Sequence, residues 1–198
     1  MRVFPSLKEL ASRSEAQDKE TWERDLTQEL AQPKAFEIVD NILRESLIIS
    51  GVLPLNKERE GLLNLIVVDE ILECDFLSKQ APAIALPTLV GYTTKLCDLH
   101  TPIAAIDDGD RPTLLQLFIR GNPFRGSAGL TQVAQAWTKK LLNSGNLQAL
   151  VIYGSPYVLD RLLPTLPAEV PCVFSYGQMP FAQGIVMRKL LDSKISLF

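Results

Sequence analysis

Hydrophobic positions follow two rhythms along this chain, and the change between them divides it. Up to about residue 50 they recur at helical spacing. Trp22, Leu26 and Leu30, four residues apart, mark a helix with one narrow apolar seam. The seam is thin because 11 of the 23 residues from Lys8 to Leu30 are charged. A stronger stripe of Phe36, Val39, Ile42, Leu43 and Leu47 predicts a second helix after Pro33, and Gly51-Val-Leu-Pro-Leu55 ends it.

Beyond Leu62 the apolar residues come in short continuous runs: Leu63 to Val68, Ala83 to Leu86, Leu114 to Ile119, Ala149 to Tyr153 and Val170 to Phe174. Runs apolar on both faces predict parallel strands covered on each side by helices. The intervening helices are legible too. Leu130, Val133, Ala134, Trp137 and Leu141 form one stripe, stopped by Asn143-Ser-Gly-Asn146. Ser155-Pro156 opens another, with serine placed to cap and proline at the first helical position. A last helix runs from about Pro180 to Leu191. From 114 to 175 the order is strand, helix, strand, helix, strand, which predicts a mostly parallel α/β sheet with right-handed crossovers. The longest predicted loop is 101–112. A helical lead-in over residues 1–55 and an α/β domain over 56–198 follow from this division.

Three loops each follow a strand and precede a helix, so they are expected along one edge of the sheet, where α/β proteins hold ligands. The first, after Ile119, offers Arg120, Asn122, Phe124 and Arg125. The second offers Ser155 and Tyr157, and the third Tyr176 and Gln178. These eight residues are the candidate ligand or partner contacts. The glycines of Gly121-Asn-Pro-Phe-Arg-Gly126 have phosphate-loop spacing, but Ser127 stands where the lysine belongs and Ala128 where the magnesium hydroxyl belongs. Nucleotide hydrolysis therefore lacks its charge clamp.

Composition narrows the classes further. With 46% hydrophobic and 22% charged residues the chain has a globular profile. A net charge of −3 without a basic stripe argues against nucleic acid. No apolar run approaches the length of a membrane span, and Met1 to Leu10 lacks the core of a secretory signal. The three cysteines, Cys74, Cys97 and Cys172, form no CxxC pair and read as buried thiols in a reducing cytoplasm. His100 is the only histidine; no GxSxG elbow accompanies it, and no partner has metal-ligand spacing. Asp107-Asp-Gly-Asp110 lacks the distal glutamate of an EF-hand and reads as a solvated turn. Neither a metal nor a cofactor is expected, and no residue stands out as catalytic.

Three segments resemble the C-terminal domain of glycoside hydrolase family 3, in its cyanobacterial β-glucosidase or β-N-acetylhexosaminidase branch. They are Leu114 to Ser127, Ala149 to Tyr157 and Val173 to Pro180, with Glu45 to Leu55 and Asn64 to Asp69 similar to the entry into that domain. The resemblance covers roughly residues 34–190. It implies a three-layer α/β sandwich with a mostly parallel sheet, preceded by helices. It also implies a carbohydrate-metabolism enzyme whose nucleophilic aspartate and histidine loop lie in a separate barrel. No barrel motif occurs here, and a barrel of about 250 residues would not fit. The expectation is an accessory domain standing without its barrel, from a split gene or a truncation. It would be non-catalytic alone and would dock a barrel chain, pair with a second copy or bind a carbohydrate. The alternative is an independent flavodoxin-like domain that binds a small ligand or regulates through the same loops.

Overall fold

The computed structural model describes residues 33–55, 61–68, 74–98, 100–102, 110–119 and 128–191. By its internal contacts the chain falls into two units, residues 1–42 and 43–198. The predicted helix through Trp22, Leu26 and Leu30 lies outside the described residues. Helix α1, Pro33–Glu45, forms where the second stripe predicts it.

Six strands make one sheet among the described residues: β1 (Ile48–Ser50), β2 (Leu63–Val68), β3 (Thr93–Cys97), β4 (Thr113–Ile119), β5 (Leu147–Gly154) and β6 (Cys172–Ser175). Their spatial order is β1-β6-β5-β4-β2-β3. Every neighbouring pair is parallel except β1 with β6, which is antiparallel. The central strands β2, β4 and β6 are buried along their whole length, as unbroken apolar runs require.

Helices α3 (Ala128–Asn143) and α4 (Pro156–Leu162) cover one face. Ala134, Trp137 and Leu141 of α3, with Val158, Leu159 and Leu162 of α4, pack there on Leu65, Leu115, Leu117, Leu150 and Phe174. Helices α2 (Pro82–Leu89) and α5 (Pro180–Leu191) cover the other. Ala83, Leu86, Val186, Met187 and Leu190 pack there on Ile66, Leu114, Phe118, Val151 and Tyr153. The expected three-layer sandwich is therefore the fold.

Two elements depart from the sequence reading. The run Ala83 to Leu86 is helical, part of α2, not a strand. Only Ala83, Leu86 and Pro87 of this short helix are buried, and a run of four apolar residues has no periodicity that separates the two cases. The strand that flanks β2 is β3, Thr-Thr-Lys-Leu-Cys, whose polar start reflects its position at the sheet edge. The three-residue edge strand β1 was not foreseen either, since Gly51 and Pro54 read only as a helix terminator.

Helix α2 contains Pro87, which has no N–H to give to the carbonyl four residues earlier. That carbonyl, on Ala83, instead accepts from Asn64 Nδ2 at 2.9 Å and Gln116 Nε2 at 2.8 Å. Gln116 also donates to Asn64 Oδ1 at 2.7 Å. Two buried amides on β2 and β4 thus complete a helix that proline interrupts. At its start, Ala81 supplies no side-chain cap, and the Ala83 N–H donates to Gln183 Oε1 of α5 at 3.2 Å.

Candidate functional site at the strand ends

Strands β5 and β6 run parallel with Tyr153 opposite Ser175, so their carboxyl ends lie side by side. Ser155, Tyr157, Tyr176 and Gln178 all follow those ends. The structure therefore gathers the second and third predicted loops on neighbouring strands. Arg120, Asn122, Phe124 and Arg125 lie outside the described residues. The loop carrying them follows β4, which adjoins β5 on the other side.

The four described candidates divide into two kinds. Ser155 and Gln178 are buried. Ser155 occupies the N-cap position of α4, but its side chain makes no cap hydrogen bond, contrary to the sequence reading; Pro156 does sit at the helix start. The Val158 amide, a usual target of such a cap, donates to the Ser155 backbone carbonyl at 3.2 Å instead. Gln178 Nε2 donates to the carbonyl of Tyr153 at 3.1 Å, tying the β6 loop to the end of β5. Its own carbonyl accepts from Gln183 Nε2 at 2.8 Å. Gln178 is thus a strut between loops.

Gly154 makes this junction feasible. Its φ is +102°, and a Cβ there would stand 2.5 Å from Ile119 O and 2.7 Å from Gln178 Nε2. Only glycine allows so close an approach of β4, β5 and the Gln178 strut.

Tyr157 and Tyr176 face outward, 77% and 55% exposed, and Met179 and Phe181 join them at 59% and 45%. Tyr176 is held edge-to-face against Phe174, ring centroids 4.7 Å apart. Met179 and Phe181 escaped the sequence reading because they flank Pro180, where the last helix begins. Two large apolar side chains on either side of a helix start were the available signal.

Among the described residues the buried polar side chains are Asn, Thr, Gln and Ser, without an Asp or Glu. Partial burial opposes ionisation of Asp98, but the Thr101 hydroxyl, the amides of His100 and Thr101, and His100 itself outweigh it and hold the carboxyl below the usual range. That lowering suits a turn: Asp98 Oδ1 accepts from the His100 amide at 3.0 Å and the Thr101 hydroxyl at 2.8 Å. His100 is exposed and meets Asp98 through its backbone amide. No group of three or more His, Cys, Asp and Glu among the described residues could hold a metal ion. No described helix is long and apolar enough to cross a membrane.

An open crevice of about 450 Å³ lies at the opposite, amino-terminal end of β5 and β6, lined by Leu55, Gly145, Gln148, Glu169 and Pro171.

Comparison with known proteins gives this architecture its relatives. The family model for the bacterial glycosyl hydrolase family 3 C-terminal domain matches residues 55–192. The fold is similar to that of a family 3 β-N-acetylglucosaminidase from Paenibacillus sp. str. FPU-7, with a TM-score of 0.55 at 14% identity, covering 82% of this chain and 31% of that one. A β-N-acetylglucosaminidase from Thermotoga maritima aligns with a TM-score of 0.41 at 7% identity, covering 76% and 30%. The chain thus spans about a third of the length of these structures. No curated protein matches it.

Proposed function

Because the chain belongs to the bacterial glycosyl hydrolase family 3 C-terminal domain family, we propose that it is an accessory domain, working beside a catalytic barrel and cleaving no glycosidic bond by itself. The observation that carries this reading is the absence of any buried carboxylate among the described residues. Glycoside hydrolysis needs two carboxyl groups across the scissile bond, one of them kept protonated by its surroundings. Asp98, at the far edge strand, is held in the opposite sense.

The edge formed after β5 and β6 is the face for the barrel. It presents Tyr157, Tyr176, Met179 and Phe181 to solvent beside β5 and β6, whose own apolar side chains are enclosed. Exposed aromatic and methionine side chains on a rigid frame are the common currency of protein interfaces. The two tyrosines would also stack on a sugar ring, which supports carbohydrate binding at the same edge as the second reading.

The test is direct. The purified chain, supplied with aryl β-glycosides of glucose and of N-acetylglucosamine, is expected to release no more phenol than buffer. Turnover at an enzymatic rate that is lost on substituting an acid of this chain would overturn the proposal. Titration with N-acetylglucosamine separates the two readings of the edge: quenching of tyrosine fluorescence that disappears in Y176S favours the sugar.

A further inference from the structure

A second crevice, of about 340 Å³, opens between the C-terminal halves of α3 and α4. Its floor is apolar, made by Leu142 and Leu162. Its rim carries two cations from different helices, Lys139 of α3 and Arg161 of α4, and no acid lines it.

The ordinary explanation for basic residues at helix carboxyl ends is that they serve the last carbonyls. Here five of those carbonyls are already taken. At the end of α3 the amides of Ser144, Asn146 and Gly145 donate to the carbonyls of Lys140, Leu141 and Leu142. At the end of α4 the Thr165 hydroxyl donates to Leu162 O at 2.7 Å, and Leu163 N to Leu159 O. Lys140, next to Lys139, lies over the Trp137 ring at 5.0 Å. Lys139 and Arg161 have no ion pair or hydrogen bond among the described residues. Gln135 and Asn143 add two amide side chains to the same rim.

We propose that this crevice is a binding site for a small organic anion, a phosphate monoester or carboxylate carried on a compact apolar body. The guanidinium of Arg161 suits a planar or tetrahedral oxyanion, Lys139 adds a second charge, and the leucine floor takes the body of the ligand. Its volume falls at the small end of ligand pockets.

The experiment titrates the ¹⁵N-labelled full chain with phenyl phosphate, benzoate and the neutral benzyl alcohol. Both or one of the anions is expected to shift amides in 135–143 and 161–165, and the tighter of the two identifies the head group. K139Q combined with R161Q should weaken that anion about tenfold or more. Both residues are exposed, so the variants should keep the native spectrum elsewhere. The proposal falls if neither anion shifts those amides, if benzyl alcohol shifts them equally, or if the double variant binds unchanged. Hydrolysis of glycosides does not enter the measurement, so its outcome is independent of the function proposed above.

Discussion

The residue that stands out is Tyr153. It is fully buried on β5, stacked on Phe118 with centroids 4.3 Å apart, and its hydroxyl has no hydrogen-bond partner among the described residues. Burial raises its pKa well above 10.0. A buried hydroxyl without a partner costs about 1–3 kcal/mol, so Y153F should leave stability unchanged or raise it by about 1 kcal/mol. Urea unfolding measures this, and a loss of stability would mean that the hydroxyl is satisfied after all. The thiols act in the same direction. Burial, and for Cys97 the neighbouring Asp98 charge, pushes Cys97 and Cys172 up from 9.0 to about 12. Both groups hold their protons more tightly folded than unfolded. Their contribution to stability is therefore complete below pH 9 and drains away as pH rises from 9 toward 12. The urea midpoint should fall across that window. In native protein at pH near 8, a thiol reagent should modify half-buried Cys74 while Cys97 and Cys172 wait for unfolding. The burial of Cys97 and Cys172 was legible from their apolar neighbours. The isolation of the Tyr153 hydroxyl was not, because it depends on what faces it across the layer.

At the scale of elements, α2 shows how a helix can be specified by residues far from it. Its apolar run misled because Pro87 interrupts the helix from within, and the groups that compensate come from elsewhere in the chain. Asn64 and Gln116 sit within strands that read as apolar, and Gln183 within a helix. Each looked like an incidental polar residue until the folded chain placed it against the helix that needs it. By contrast β4 and β5 were legible from their own unbroken apolar runs and α3 from its own stripe. The compensation can be measured by a double-mutant cycle. Asn64→Ala removes a donor to the Ala83 carbonyl and should cost about 1–3 kcal/mol. In a Pro87→Ala background, where residue 87 regains an N–H for that carbonyl, the same substitution should cost less. A coupling of at least about 0.5 kcal/mol is expected between these two sites, and strict additivity would refute the compensation.

For the whole molecule, strand order was beyond the sequence because nothing local says that the chain passes β2 on its way to β3 and then returns to place β4 on the other side. That reversal puts a topological switch between β2 and β4, the usual ligand crevice of such sheets. Exposed apolar residues also lie on α1 and β1 and at Val52 and Leu89, but four of them gather after β5 and β6. Two of them, Tyr157 and Tyr176, came from reading strand-to-helix loops, and Met179 and Phe181 became visible only as exposure. A surface of this kind associates when its partner is withheld. Purified chain should therefore sediment with a weight-average mass that rises with concentration, and Tyr176→Ser combined with Phe181→Ser should abolish the rise. Because both side chains are exposed, the urea midpoint of that variant should stay within about 0.5 kcal/mol of the parent. A parent that sediments as a monomer at every concentration, or a variant that associates as strongly as the parent, would remove the edge after β5 and β6 as the docking face and leave the domain's attachment to be sought elsewhere on its surface.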